Sequence, residues 1–159
     1  MIHIIIDNRE QTPWNFGDLA EVSGGTLKSG DYALAGDDNF AVERKSLQDY
    51  TSTVMSGWKR FSKELKRMDS FPVKVIIIEA DWRDLLTGKY NSGVQPAAII
   101  ARTTEMILDG VVVLFCSNPF AAAGLCWRIL VERQKRLKEE LAENTIDISS
   151  KRQKRINEK

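Results

Sequence analysis

Three short, almost unbroken aliphatic runs constrain this chain more than any other feature: Ile2 to Ile6, Val73 to Ile78, and Val111 to Phe115. Each has strand length and is rich in β-branched residues. A strand with one wet face alternates polar and apolar side chains. A run without alternation must be covered on both faces, as in a sheet lying between two helix layers. The first run ends at Asp7 and the second at Glu79, so each buried strand delivers a carboxylate to its end.

The segments between these runs supply the covering layers. Leu47, Tyr50, Val54, Trp58, Phe61, Leu65 and Met68 recur at steps of three and four, which predicts one helical face that ends before Pro72. Ser46 is its expected N-cap, with Asp49 in the capping-box position. Further helices are expected over 95–108 and from Pro119 to about Glu143. Two more strands, 27–35 and 40–45, flank Gly36-Asp37-Asp38-Asn39, whose residues suit a hairpin turn. Residues 8–25 contain Pro13, Gly17, Gly24 and Gly25 and read mostly as loop. The order β, ββ, α, β, α, β, α predicts an α/β fold with a mixed central β-sheet flanked by helices.

The 159 residues suit a single domain over 1–143, followed by a tail over 144–159 in which basic residues dominate and which is expected to fray or be disordered. A net charge of +1 carries no information about partners. The only histidine is His3, so a histidine-based triad would have to stand on the chain terminus. Cys116 and Cys126 lack metal-ligand spacing and read as small buried hydrophobes. No leader sequence and no apolar run long enough to span a membrane is visible, so a cytoplasmic protein without membrane partners is expected.

One stretch interrupts this simple pattern. In Ala41-Val42-Glu43-Arg44-Lys45-Ser46, three consecutive charges stand where a buried strand meets a helix. Side chains at i and i+2 share a face, so Glu43 and Lys45 point together and Arg44 points away. Phosphodiester hydrolysis asks for a hard cation held by carboxylates and a positive group near the developing charge. Glu43 and Lys45 are suited to those two tasks. The second carboxylate expected from the neighbouring strand is Asp31, which follows Gly30 across the hairpin. On spacing alone, a surface hairpin with charged ends is an equal reading.

Gly30-Asp31-Tyr32, Glu43-Arg44-Lys45 and Ser46-Leu47-Gln48-Asp49 together match the GD…ERKxxxD signature of the XPF/MUS-type structure-specific endonucleases, a branch of the PD-(D/E)XK nucleases. Asp7-Asn8-Arg9-Glu10 resembles that family's first-strand motif. Ser56 to Phe61 and Ile76-Ile77-Ile78-Glu79 resemble the segments that follow, so the similarity runs in order over roughly 2–135.

The resemblance implies a restriction-endonuclease-like nuclease core and a structure-specific DNA endonuclease active near branched or flap junctions, leaving a 5′-phosphate and a 3′-hydroxyl. It implies Mg²⁺ or Mn²⁺ held by Asp31 and Glu43, with Asp7 as a further metal contact and Glu10 beside it. Lys45 would position the water or stabilise the phosphorane. Arg9 and Arg44 would support phosphate or hold the carboxylates. Asp49 stands equally as a cap acid and as a site residue. Lys59, Arg60 and Lys63, together with Arg9, are candidate DNA contacts; a solvated helix face is an equal reading for the three on the helix. Trp14 either stacks on a base or folds into the core.

Larger members carry a tandem helix-hairpin-helix module, and some a helicase. This sequence shows neither, so a protein partner or the basic tail is expected to help recognise DNA structure. The helix from Pro119, with Ala121-Ala122-Ala123-Gly124 and Trp127, is apolar on more than one face, which suits a homodimer paired through the last helices. The rivals are a non-catalytic scaffold subunit of the same fold and a Holliday-junction or restriction-type PD-(D/E)XK nuclease.

Overall fold

A computed structural model describes the backbone of residues 1–157 and the side chains of residues 1–145. The three aliphatic runs form strands β1 (Ile2–Asp7), β5 (Lys74–Glu79) and β6 (Val111–Cys116). The remaining strands are β2 (Ala20–Gly25), β3 (Tyr32–Leu34) and β4 (Val42–Ser46). Among the described residues they make one six-stranded sheet in the order β2-β1-β3-β4-β5-β6. β3 runs antiparallel to β1 and β4, whereas β1–β2, β4–β5 and β5–β6 are parallel, so the sheet is mixed.

Two cores lie on opposite faces of that sheet. Val75 and Ile77 point to one face, where Ile4, Tyr32, Val42 and α5 (Pro119–Asn157) pack through Ala122, Cys126 and Leu130. Ile76 and Ile78 point to the other, against α1 (Leu47–Val54), α2 (Trp58–Arg67) and α4 (Pro96–Leu108) through Leu47, Tyr50, Phe61, Ile99 and Met106. Ile76, Ile77 and Ile78 are all at most 1% exposed. This double cover is why β5 shows no alternation.

The structure departs from the sequence-based expectations in five places. Residues 20–25 are not loop but the edge strand β2, parallel to β1 with Ile2 opposite Ala20 and Asp7 opposite Gly25. Its exposed residues and paired glycines hide a strand that is held mainly by its ladder. The expected strands over 27–35 and 40–45 are shorter, and only Tyr32 and Val42 pair in the β3–β4 ladder. The single helix expected through Met68 is two, because the chain turns at Met55-Ser56-Gly57. The Gly57 N–H donates to Ser52 O at 2.8 Å, and a Cβ there would lie 3.1 Å from Thr53 Cα. The 3.6-residue apolar rhythm continues across this break and so masks it.

The fourth departure is the tail. Expected to fray from residue 144, it continues α5 in the helix to Asn157. Glu, Lys, Arg and Gln in this stretch are good helix formers, even where apolar content falls. A short helix, α3 (Trp82–Leu86), was not foreseen; Asp81 and Asp84 close a capping box at its start. A largely buried ion pair, Arg133 Nε to Asp37 Oδ2 at 2.7 Å, fastens α5 to the β3–β4 hairpin. No helix among the described residues is long and apolar enough to cross a membrane.

Candidate active site

The ends of β1, β3, β4 and β5 converge around Glu43, Arg44 and Lys45. β4 alternates as expected. Val42 enters the α5-side core, Glu43 faces the α2 side, Arg44 returns to the first side, and Lys45 reaches α2, its Nζ 5.9 Å from the centre of the Phe61 ring. Glu43 and Lys45 are in contact at 2.6 Å. Asp31 stands one residue before β3, next to the Tyr32–Val42 pair. Its N–H donates to Val42 O, and its carboxylate accepts from the Arg44 N–H at 2.7 Å.

Gly30 makes this approach possible. Its φ of +79° lies in the left-handed region, and a Cβ would stand 2.6 Å from Ala41 Cβ. Any other residue would be strained and would push β3 from β4 just where the two carboxylates meet.

Asp31 and Glu43 are carboxylates in want of a cation. Burial pushes the Asp31 carboxyl above its ordinary range, against the opposing pull of the Arg44 N–H and Lys45. Burial, reinforced by the Asp31 charge, pushes Glu43 up as well, again against Lys45. Burial disfavours charge on Lys45, but the Glu43 and Asp31 carboxylates outweigh it and raise its pKa. The three groups thus form an incompletely neutralised cluster of two acids and one base.

Asp7 differs. It is 1% exposed, and both oxygens are occupied: Arg9 holds them in a fork at 2.6 and 3.0 Å, and the Leu27 N–H donates at 2.8 Å. The Arg9 fork lowers its pKa to about 2 against the opposing effect of burial. Among the described residues no group of three His, Cys, Asp or Glu side chains is placed to hold a metal ion. The expected trio of Asp31, Glu43 and Asp7 is therefore not assembled; Asp7 is tied to Arg9 instead.

Arg44 faces away from the acid pair, as expected, and forms a clamp. Its guanidinium binds Glu79 at 2.9 and 3.1 Å and Glu10 at 3.0 Å, and donates to Thr12 O. Burial disfavours its charge, but the two carboxylates prevail and raise its pKa. Glu79 also accepts from the Trp14 indole N–H. Trp14 is buried and stacked on Tyr32, with ring centroids 4.6 Å apart, the placement of its core reading. Asp49 is exposed. Its N–H donates to Ser46 Oγ, which donates in turn to the Asp49 carboxylate at 2.7 Å, the bonding of a helix cap.

Two acids were missed from sequence. Glu79 stands at a predicted strand end within a family-like segment, with no site role assigned to it. Glu64 on α2 is half-buried without a hydrogen-bonded or ionic partner among the described residues, and its charge acts on Lys45, Glu43 and Arg9. It lies next to Phe61 and Leu65, which pack in the α2-side core, and to the buried Met68. Lys59, Arg60 and Lys63 are exposed on the same helix, and Arg9 is exposed beside Asp7.

A mixed sheet whose central strand ends present two neighbouring carboxylates and a lysine, between helix layers, defines a restriction-endonuclease-like nuclease fold. XPF from Aeropyrum pernix aligns with a TM-score of 0.67 at 20% identity, over 82% of this chain and 61% of that one. XPF from Aeropyrum pernix in complex with DNA aligns at 0.66 and 22% identity, over 86% and 66%. This chain thus spans under two thirds of either structure's length. The ERCC4 domain matches residues 6–126, and the chain belongs to that family. No curated protein matches the sequence.

Proposed function

We propose that this protein is a divalent-metal-dependent DNA endonuclease that hydrolyses a phosphodiester near a branch or flap. The observation that carries the proposal is the partly buried Asp31 beside the buried Glu43, with Lys45 the cation paired to Glu43 and the Arg44 N–H holding Asp31. Hard carboxylate oxygens without a nearby His or Cys fit Mg²⁺ or Mn²⁺ rather than a soft metal. Such an ion, bound by Asp31 and Glu43, would supply a water of lowered pKa and polarise the phosphate.

The chain's own residues do the rest. Lys45, kept protonated by its acid neighbours, places positive charge at the phosphate where negative charge develops. Arg44 ties β4 to β5 and to the Glu10 loop, and its main-chain N–H holds Asp31 beside Glu43. Arg9, Lys59, Arg60 and Lys63 offer charge to the DNA backbone. A second copy of the chain is the natural partner for the apolar side chains exposed near β6 and the start of α5: Phe120 is 90% exposed and Leu108 87%. A protein partner that recognises the branch fits the same reading.

The test is cleavage of labelled flap, fork and linear duplex with Mg²⁺ or Mn²⁺, comparing wild type with Asp31→Asn and Lys45→Ala. Metal-dependent cuts near the junction, lost in both variants, are expected. Equal inertness of all three proteins on every substrate would leave a DNA-binding scaffold. Sequence-dependent cuts in linear duplex would indicate the restriction type.

A further inference from the structure

The surroundings of Lys45 are lopsided in charge. On the β1 and β5 side stand Asp7, Glu10 and Glu79, each engaged by an arginine. On the opposite side a groove of about 700 Å³ opens between α1 and α2, lined by one acid, Asp49, and by Lys45, Lys59, Arg60 and Lys63. The last three side chains are exposed, and among the described residues they have no ion-pair or hydrogen-bond partner. Gly57 sets the width of this groove, because α2 starts against the backbone of Ser52 and Thr53.

Two features say what shape of ligand fits. Lys59 and Lys63 lie four residues apart on one helix face, about 6 Å along the axis. That matches successive phosphates of a single strand. The groove also has no aromatic lining on which a base could stack. The nearest indole on α2, Trp58, is covered by the Arg102 guanidinium, 4.4 Å from the ring centre. Strand-binding grooves that do hold bases combine positive charge with such stacking faces.

We propose that the α1–α2 groove holds the sugar-phosphate backbone of one DNA strand, the strand being cut, leading its phosphates to Lys45 without reading a base. The proposal rests on the nuclease reading and adds the strand's path. DNA then enters over α2 and not over the acidic side.

The experiment uses the metal-free Asp31→Asn protein, so that binding is measured without cleavage. Affinity for a single-stranded oligonucleotide is followed by anisotropy against salt concentration. Replacing Lys59 and Lys63 by alanine is expected to reduce the salt slope by about 1.4, two single-strand phosphates at about 0.7 each, while arginine at both positions retains it. Methylphosphonates at two adjacent positions should weaken the parent and leave the double-alanine variant unaffected. An unchanged slope, or sensitivity spread evenly over both strands of a duplex, would overturn the proposal. Parallel cleavage assays with wild type separate the two readings. A reduced slope with no cleavage keeps the groove and loses the nuclease; cleavage with an unchanged slope does the reverse.

Discussion

Asp7 and Glu43 are both buried acids on neighbouring parts of one sheet, yet they have opposite electrostatic fates. Asp7 receives a forked arginine and a main-chain N–H, and its carboxyl is held at about 2. Glu43 lies beside Asp31 and pairs with Lys45, and burial pushes the two carboxyls up. The first is a completed structural clip. The second is a pair whose neutralisation is unfinished. Carboxylates at strand ends are therefore not equivalent ligands, and the count of hydrogen bonds already made to each one tells them apart.

The comparison breaks most readily at the acid pair itself. Asp31→Asn or Glu43→Gln should lower kcat of flap cleavage by at least about 10³-fold, and Lys45→Ala by about 10²–10³-fold. Asp7→Asn should instead act mainly through stability. Cleavage within about tenfold of wild type, measured below the melting temperature, is the expected result; a loss as large as that of Asp31→Asn would make Asp7 a ligand.

Acid and base should act on the two regions in opposite senses. Asp7 has a lowered pKa, so its contribution is complete above the ordinary carboxylate range and is lost as pH falls from about 4 towards 2. It amounts to about 2 kcal/mol. Asp31 and Glu43 have raised pKa values, so the folded chain binds more protons than the unfolded one, and metal-free stability declines as pH rises from about 4 to about 7. Asp31→Asn should flatten that decline and melt a few degrees above wild type at pH 8 without metal. Mg²⁺ should reverse the order at pH 8 and release protons as it binds, which calorimetry in buffers of different ionisation enthalpy reads directly.

Smaller effects sharpen the picture. Arg44→Lys keeps a charge but cannot bridge Glu79 and Glu10 in a fork, so a loss of about 1–3 kcal/mol of stability with a partial loss of kcat is expected. Trp14→Phe should leave DNA affinity unchanged and cost stability alone, by about 1 kcal/mol, because the indole N–H to Glu79 is lost. A weakened DNA affinity at unchanged fold would return Trp14 to the interface.

What was legible from sequence follows physical cause. The aliphatic runs marked β1, β5 and β6 as strands, but only β5 is covered on both faces throughout; β6 is an edge strand that exposes Val112, so its expected double cover does not hold. Glu43 and Lys45 follow from strand periodicity, and Asp31 from the hairpin. The edge strand β2 was not legible, because exposed edges need no apolar signature. The turn at Ser56-Gly57 was hidden because the apolar rhythm on either side stays in phase. The roles of Asp7, Trp14 and Glu79 were beyond reach for another reason: each depends on a partner far along the chain, such as the 65 residues separating Trp14 from Glu79.

The alternation along β4 also makes Glu43-Arg44-Lys45 a message with a reading frame. One residue inserted or deleted between Val42 and Glu43 would turn Arg44 toward α2 and both Glu43 and Lys45 toward Trp14 and Tyr32, inverting the site without changing its composition. Substitutions here can be graded in their damage, but a shift of one position cannot. Length variation among relatives should therefore collect in the hairpin tip or beyond Ser46, and be absent from the few residues between.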